Sequence, residues 1–144
     1  MKKVLIAIVA VFVAWSVLDI LIHGVMLRPS YEASASLWRP EAEMKMGLLY
    51  VVTLICAVTF VLIYHLLISS KSLAKGIQYG LLYGIGTGIG MGYGSYAFMP
   101  MPYLMALVWF LGSVVECVVA GVIVGAIVTE DQGAGHFQAG EGSV

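Results

Sequence analysis

Charge is the scarcest ingredient of this chain. Of its 144 residues only 10% are charged, eight acidic against seven basic. Soluble domains carry roughly a quarter charged residues, so this chain is not built to face water on every side. The formal net charge of −1 leaves no basic surface for a nucleic acid, and none is expected as a partner. Cysteine is nearly as rare. Cys56 and Cys117 stand alone, without a CxxC or CxxCH spacing, and read as small packing residues. HExxH, GK[ST] and nucleophile–base patterns are all missing, so neither an enzyme nor a cofactor is expected.

What fills the chain is apolar. Hydrophobic residues make up 61% of it, and the mean hydropathy is +1.00. Apolar segments fall at 4–27, 46–69, 77–98 and 103–128, each bounded by charge, proline or a Lys/Ser cluster. Each is close to the ~20 residues that cross a bilayer as a helix. The expected fold is all-α: a polytopic membrane protein with a bundle of four transmembrane helices over 1–128. A short external surface segment joins helices one and two, and a flexible polar tail, with an isolated His136, covers 129–144. The first segment is longer than a signal-peptide core, carries Trp15 and Asp19, and has no small-x-small cleavage site, so it reads as a retained span.

Lys2, Lys3, Lys71 and Lys75 fall on one side, and Arg28, Arg39 and Lys45 on the other. The N-terminal lysines tip the balance toward cytoplasmic termini, and the expected location is a bacterial inner (plasma) membrane. In the external 28–45 connection, Pro40 before Glu41 and Glu43 reads as the opening of a helix. Trp38 reads there as an interfacial anchor.

The most distinctive stretch is a run of glycines at every second position: Gly84, Gly86, Gly88, Gly90, Gly92 and Gly94, with Gly80 one turn earlier. A dinucleotide-binding loop needs an odd offset, which a run spaced by twos cannot supply. Gly92-Tyr93-Gly94 matches the centre of a potassium filter, but follows Gly90-Met91 and ends a segment that must itself cross. Helix packing remains. Gly80, Gly84, Gly88 and Gly92 form one ladder of small residues, and Gly86, Gly90 and Gly94 a second on roughly the opposite side. Two smooth faces predict two close neighbours, one of them in a partner chain.

Ionisable residues at membrane depth cost several kcal/mol unless paired. Asp19 and His23 share a face of span one, and Glu116 sits in span four beside Gly112, Ser113 and Ala120. Counting ~1.5 Å per residue from the outer boundary puts His23 about 6 Å deep, Asp19 about 12 Å and Glu116 about 19 Å. Tyr93 and Tyr96 descend from the same side, which predicts a polar ladder Tyr96, His23, Asp19, Glu116. Its two readings are a hydrogen-bonded network that fixes the helices and a proton or cation pathway. His65 falls near the opposite surface, too far from His23 to share a haem. Met26, Met44, Met46, Met99, Met101 and Met105 map to the outer ends, where thioethers with His23 would suit Cu(I); His23, Met99 and Met101 are the candidate ligands, against the plainer role of filling gaps.

These features lead to a small integral membrane protein that acts through helix–helix association. It would be an accessory or assembly subunit of a larger membrane complex or a homo-oligomer, with the bilayer and other transmembrane helices as partners. The alternative is a transporter conducting protons or a small cation along Asp19, His23 and Glu116.

Overall fold

A computed structural model describes residues 1–129, and all regular structure among them is helical. Helix α1 (Lys2–Asp19) runs without a break into a π-helical turn, Ile20–Met26, making one rod of 25 residues. The short helix α2 (Arg28–Ala33) follows, then two single 3₁₀ turns, Ala35–Leu37 and Glu41–Glu43. Helix α3 (Met46–Leu67) leads through a tight connection to α4 (Leu73–Ile89). A π-turn, Gly90–Gly94, carries α4 directly into α5 (Ser95–Phe98), and α6 (Tyr103–Ile127) completes the fold. From residue 130 onward the polar tail lies outside the described residues.

Local chemistry places the ends. Pro29 opens α2 in the first turn, where its missing N–H costs nothing. Ser72 caps α4, its hydroxyl accepting the Lys75 N–H at 3.2 Å. Pro100 and Pro102 separate α5 from α6. The helix expected at Pro40–Glu43 is a single 3₁₀ turn, because Met44 turns extended at φ −64°, ψ 130°. The connection's helix is α2 instead, braced by the Arg28–Glu32 pair at 3.0 Å.

Three rods are long and apolar enough to cross a membrane: Lys2–Met26, Met46–Leu67 and Tyr103–Ile127. The glycine-rich helix is not among them. Counted through its π-turn, that rod is long enough, but glycine and tyrosine dilute its apolar content. At most 22% of the most apolar window of each of the three is buried within the chain. Their apolar side chains therefore point mainly outward, the reverse of a water-soluble bundle.

The order around the bundle is α1, α3, α4, α6, with α6 closing the ring against α1. Helix α4 lies along α6 with backbones in close approach, whereas α4 meets α3 through rings, Phe60 lying 4.5 Å from Tyr79 and 5.2 Å from Tyr83. Lys3 Nζ donates to Thr129 Oγ1 at 3.2 Å and marks one end of the bundle. The buried cluster there includes Ala7, Val11, Phe60, Val61, Ala120 and Val124. A smaller one at the α2 end holds Ile22, Leu27, Met101, Met105 and Ala106. Cys117 packs in the core, but Cys56 faces outward from α3, so the packing role expected of both falls to Cys117 alone.

Candidate functional site

The glycines of α4 divide into two sets. Gly76, Gly80, Gly84, Gly88 and Gly92 are buried against α6. A Cβ on Gly84 would come within 2.9 Å of the Val114 Cα, and one on Gly88 within 3.0 Å of the Phe110 carbonyl. At Gly80 a Cβ would overlap the carbonyl oxygen of Cys117, and at Gly92 that of Ala106. Helix α6 answers with its own glycines: a Cβ on Gly121 would meet the Gly76 carbonyl, and one on Gly125 would lie 2.9 Å from the Leu73 Cα. Glycine on both sides is what lets two backbones approach this closely. Gly86 and Gly90 have nothing within 4 Å of where a side chain would sit, and Gly94 meets only the Ile89 carbonyl of its own helix at 4.0 Å.

On the other side of α6 the seam with α1 is made of polar side chains. Trp15 donates its indole N–H to the backbone oxygen of Glu116 at 2.8 Å. One turn further, the Asp19 carboxyl lies beside that of Glu116. The direction of α6 explains the meeting, since a helical side chain tilts toward its own N-terminus, which here brings Glu116 toward Asp19. Glu116 Oε1 is buried and has no hydrogen-bond partner. His23 Nε2 stands 3.9 Å from Asp19 Oδ1, a charge contact and not a hydrogen bond. The two side chains remain 41% and 36% exposed, His23 the more so. Part of each side chain is thus left uncovered by the described residues.

Helix α2 caps the seam. The Tyr31 hydroxyl accepts the Trp109 indole N–H at 3.0 Å and lies 2.7 Å from His23 Nδ1. Indole can only donate, so the phenol's own proton is available for Nδ1. With the phenol donating to Nδ1, a neutral imidazole carries its own proton on Nε2, the nitrogen nearer Asp19. Burial raises Tyr31 above the ordinary phenol range and keeps that proton in place; the Trp109 hydrogen bond works against the shift and the nearby Asp19 charge adds to it. Trp38 covers the group, its ring 5.3 Å from Tyr31 and 6.0 Å from Trp109. Its indole N–H donates to Ser34 Oγ at 2.9 Å.

Asp19, His23 and Glu116 are thus brought together, while Tyr93 and Tyr96 are not part of their group. The Tyr93 hydroxyl pairs with that of Tyr103 at 3.1 Å, and the Tyr96 ring packs on Tyr103 at 5.9 Å. The place expected for Tyr96 above His23 is taken by Tyr31. A signal for Trp109 was present, since it lies seven residues before Glu116 on the same stripe of α6. Met101 and Met105 are buried with Ile22 and Leu27, but Met26, Met44 and Met46 are exposed, so the six methionines do not converge. Among the described residues, no group of three or more His, Cys, Asp or Glu could hold a metal ion. His65 is exposed in the last turn of α3. Chemically, the α1–α6 seam offers two carboxyls, one imidazole and one phenol in sequence, a set suited to holding and handing on protons. The chain matches no protein-family model, no curated protein and no solved structure.

Proposed function

We propose that this is a small integral membrane protein with four transmembrane helices, the glycine-rich rod being the third. In this reading it works through helix association, as an accessory or assembly subunit of a larger membrane complex or as a homo-oligomer. The observation that carries the reading is the open pair Gly86 and Gly90, on the same rod whose Gly76, Gly80, Gly84, Gly88 and Gly92 are packed against α6. Smooth helix surface in lipid gains packing energy only when a second helix covers it. The location that goes with this reading is a bacterial inner membrane with both termini in the cytoplasm.

The test uses Gly86→Leu and Gly90→Leu in the full chain. Energy transfer between donor- and acceptor-labelled chains in vesicles reads self-association, and purification in mild detergent reads a larger complex. Both substitutions should weaken whichever association is found. A chain that is monomeric in vesicles and purifies alone overturns the reading.

A second reading is favoured by the α1–α6 seam, where Asp19 and Glu116 from different helices meet and His23 links them to Tyr31. The chain would then move protons or a small cation along Asp19, His23 and Glu116. Glu116→Gln should abolish that flux and leave association intact.

A further inference from the structure

We infer that Asp19, Glu116 and His23 form a proton well that opens only toward the Tyr31 end of the bundle and ends at mid-depth. This takes the residues of the second reading above but not its through-flux: the chain in this arrangement exchanges protons with one side and does not pass them through.

The contents of the well follow from charge. Two carboxylates abreast in an apolar setting repel each other and lose their hydration, so both are not ionised together. Arg28 on α2 is 74% exposed and committed to Glu32 at 3.0 Å, and the helices that carry Asp19 and Glu116 offer no lysine or arginine at this end. Helix α1 carries only Lys2 and Lys3, at its far end, α6 carries neither residue type, and α3 and α4 contribute only His65 and Lys75, also at the far end. The groups facing the pair are His23 on α1, Tyr31 on α2 and the Cys117 thiol next to Glu116 on α6. Neutrality then puts two protons on Asp19, His23 and Glu116 together beyond the one N–H of the neutral imidazole, and their position among the three can change without any change in total charge.

The mouth is set by Tyr31. Its O–H bond breaks as a proton passes to His23 Nδ1, across 2.7 Å. Once the set has given up one proton, so that Asp19 is a carboxylate beside a neutral imidazole, the imidazole releases its Nε2 proton to Asp19, and the Tyr31 oxygen recovers a proton from hydronium at the α2 end. Every proton gained at one atom is lost at the next, and no further reactant is required.

The floor is apolar. Beyond Glu116 the interior is filled by Ala7, Val11, Phe60, Val61, Ala120 and Val124. The phenols at that end are turned to backbone, Tyr64 donating to the Ser72 carbonyl at 2.9 Å and Tyr79 to the Phe60 carbonyl at 3.0 Å. From Glu116 to the end of α6 is about 16 Å, and among the described residues no carboxyl, imidazole or amino side chain lies in the interior over that distance, only phenols and the Cys117 thiol.

The full chain in phosphatidylcholine vesicles tests this with two readouts. Infrared spectra titrated between about pH 4 and about pH 9 should contain a protonated-carboxyl band that Glu116→Gln and Asp19→Asn each alter. Gel filtration identifies a variant that has failed to fold, and the other then serves. Transfer to D₂O should shift the band quickly in the native chain, about tenfold or more slowly in Tyr31→Phe, and at the native rate in Tyr64→Phe. Under a potassium diffusion potential, an internal pH dye should report no more proton entry than in protein-free vesicles. Proton entry that Glu116→Gln abolishes overturns the closed floor while leaving the transport reading standing. A carboxyl band unaffected by both carboxyl variants overturns the well and the transport reading together. Unchanged exchange in Tyr31→Phe, or slowed exchange in Tyr64→Phe, overturns the position of the mouth. Association, read by energy transfer, is independent of all of these.

Discussion

Helix α6 makes two seams, and they are built on opposite principles. Toward α4 the contact is largely backbone on backbone: the α4 glycines meet carbonyls, glycines and the Val114 Cα, with side-chain atoms only from Phe110, Ser113 and Cys117. Toward α1 it presents side chains with hydrogen-bonding ends, Trp109, Glu116 and the groups that reach them. The first seam gains from close dispersion contact and has no spare volume. The second gains from directed bonds, keeps Asp19 and His23 partly open, and leaves one buried oxygen unpartnered. A seam without spare volume can fix a fold but has no moving parts, whereas a polar seam with an unpartnered atom can change state. The same helix thus separates stability from chemistry by direction.

The sharpest way to break this contrast is to place bulk in the first seam. Gly80→Leu drives a side chain into the Cys117 carbonyl, and a loss on the order of 3 kcal/mol or more is expected in an SDS-titration unfolding assay. Next comes the second seam. Trp15→Phe keeps the ring against Phe60 but removes the bond to the Glu116 carbonyl, so the same assay should show a loss of about 1 kcal/mol. At the cap, Trp109→Phe removes the donor that holds down the Tyr31 phenol. Because Tyr31 is raised in the folded chain, its contribution is present below about pH 10 and is lost as pH rises through the folded value. Trp109→Phe should therefore move the ultraviolet titration of Tyr31 still higher. The smallest change is expected at Gly86→Leu, on the face opposite the first seam. Unfolding of the dispersed chain should stay within about 0.5 kcal/mol of native. A loss there as large as that of Gly80→Leu would erase the distinction between the two glycine sets.

Much of this arrangement is legible in the sequence, for identifiable reasons. The four apolar segments stand out because proline and charge interrupt them, and the helices begin and end near those interruptions. That Asp19 and His23 share a face follows from their four-residue spacing. Their meeting with Glu116 could be anticipated only through depth along each helix, since no local rule ties α1 to α6. Tyr31 was beyond such counting. It belongs to a polar connection whose path depends on Pro29 starting a helix directly after span one, and that path folds the phenol back over His23. The glycines could be sorted into two faces by periodicity, but which face meets α6 depends on tertiary packing. Gly121 and Gly125, four apart on α6, were the available clue to the answer.

Both π-helical turns, Ile20–Met26 and Gly90–Gly94, lie against the first half of α6, Ile22 beside Gly112 and Gly92 beside Ala106 and Phe110. A π-turn accommodates more residues than the α-turn it replaces, and each residue of an α-helix advances the azimuth by about 100°. The chain beyond each turn is therefore out of phase with the rod below it. For α1 that phase offset decides where α2 departs, and so whether Tyr31 points at His23 or away from it. Deleting one residue from Ile20–Met26 would leave every group of the polar seam in the sequence and an unbroken helix to carry them, yet turn the cap to a different bearing. In this protein the length of one helical turn acts as a compass setting for everything above it.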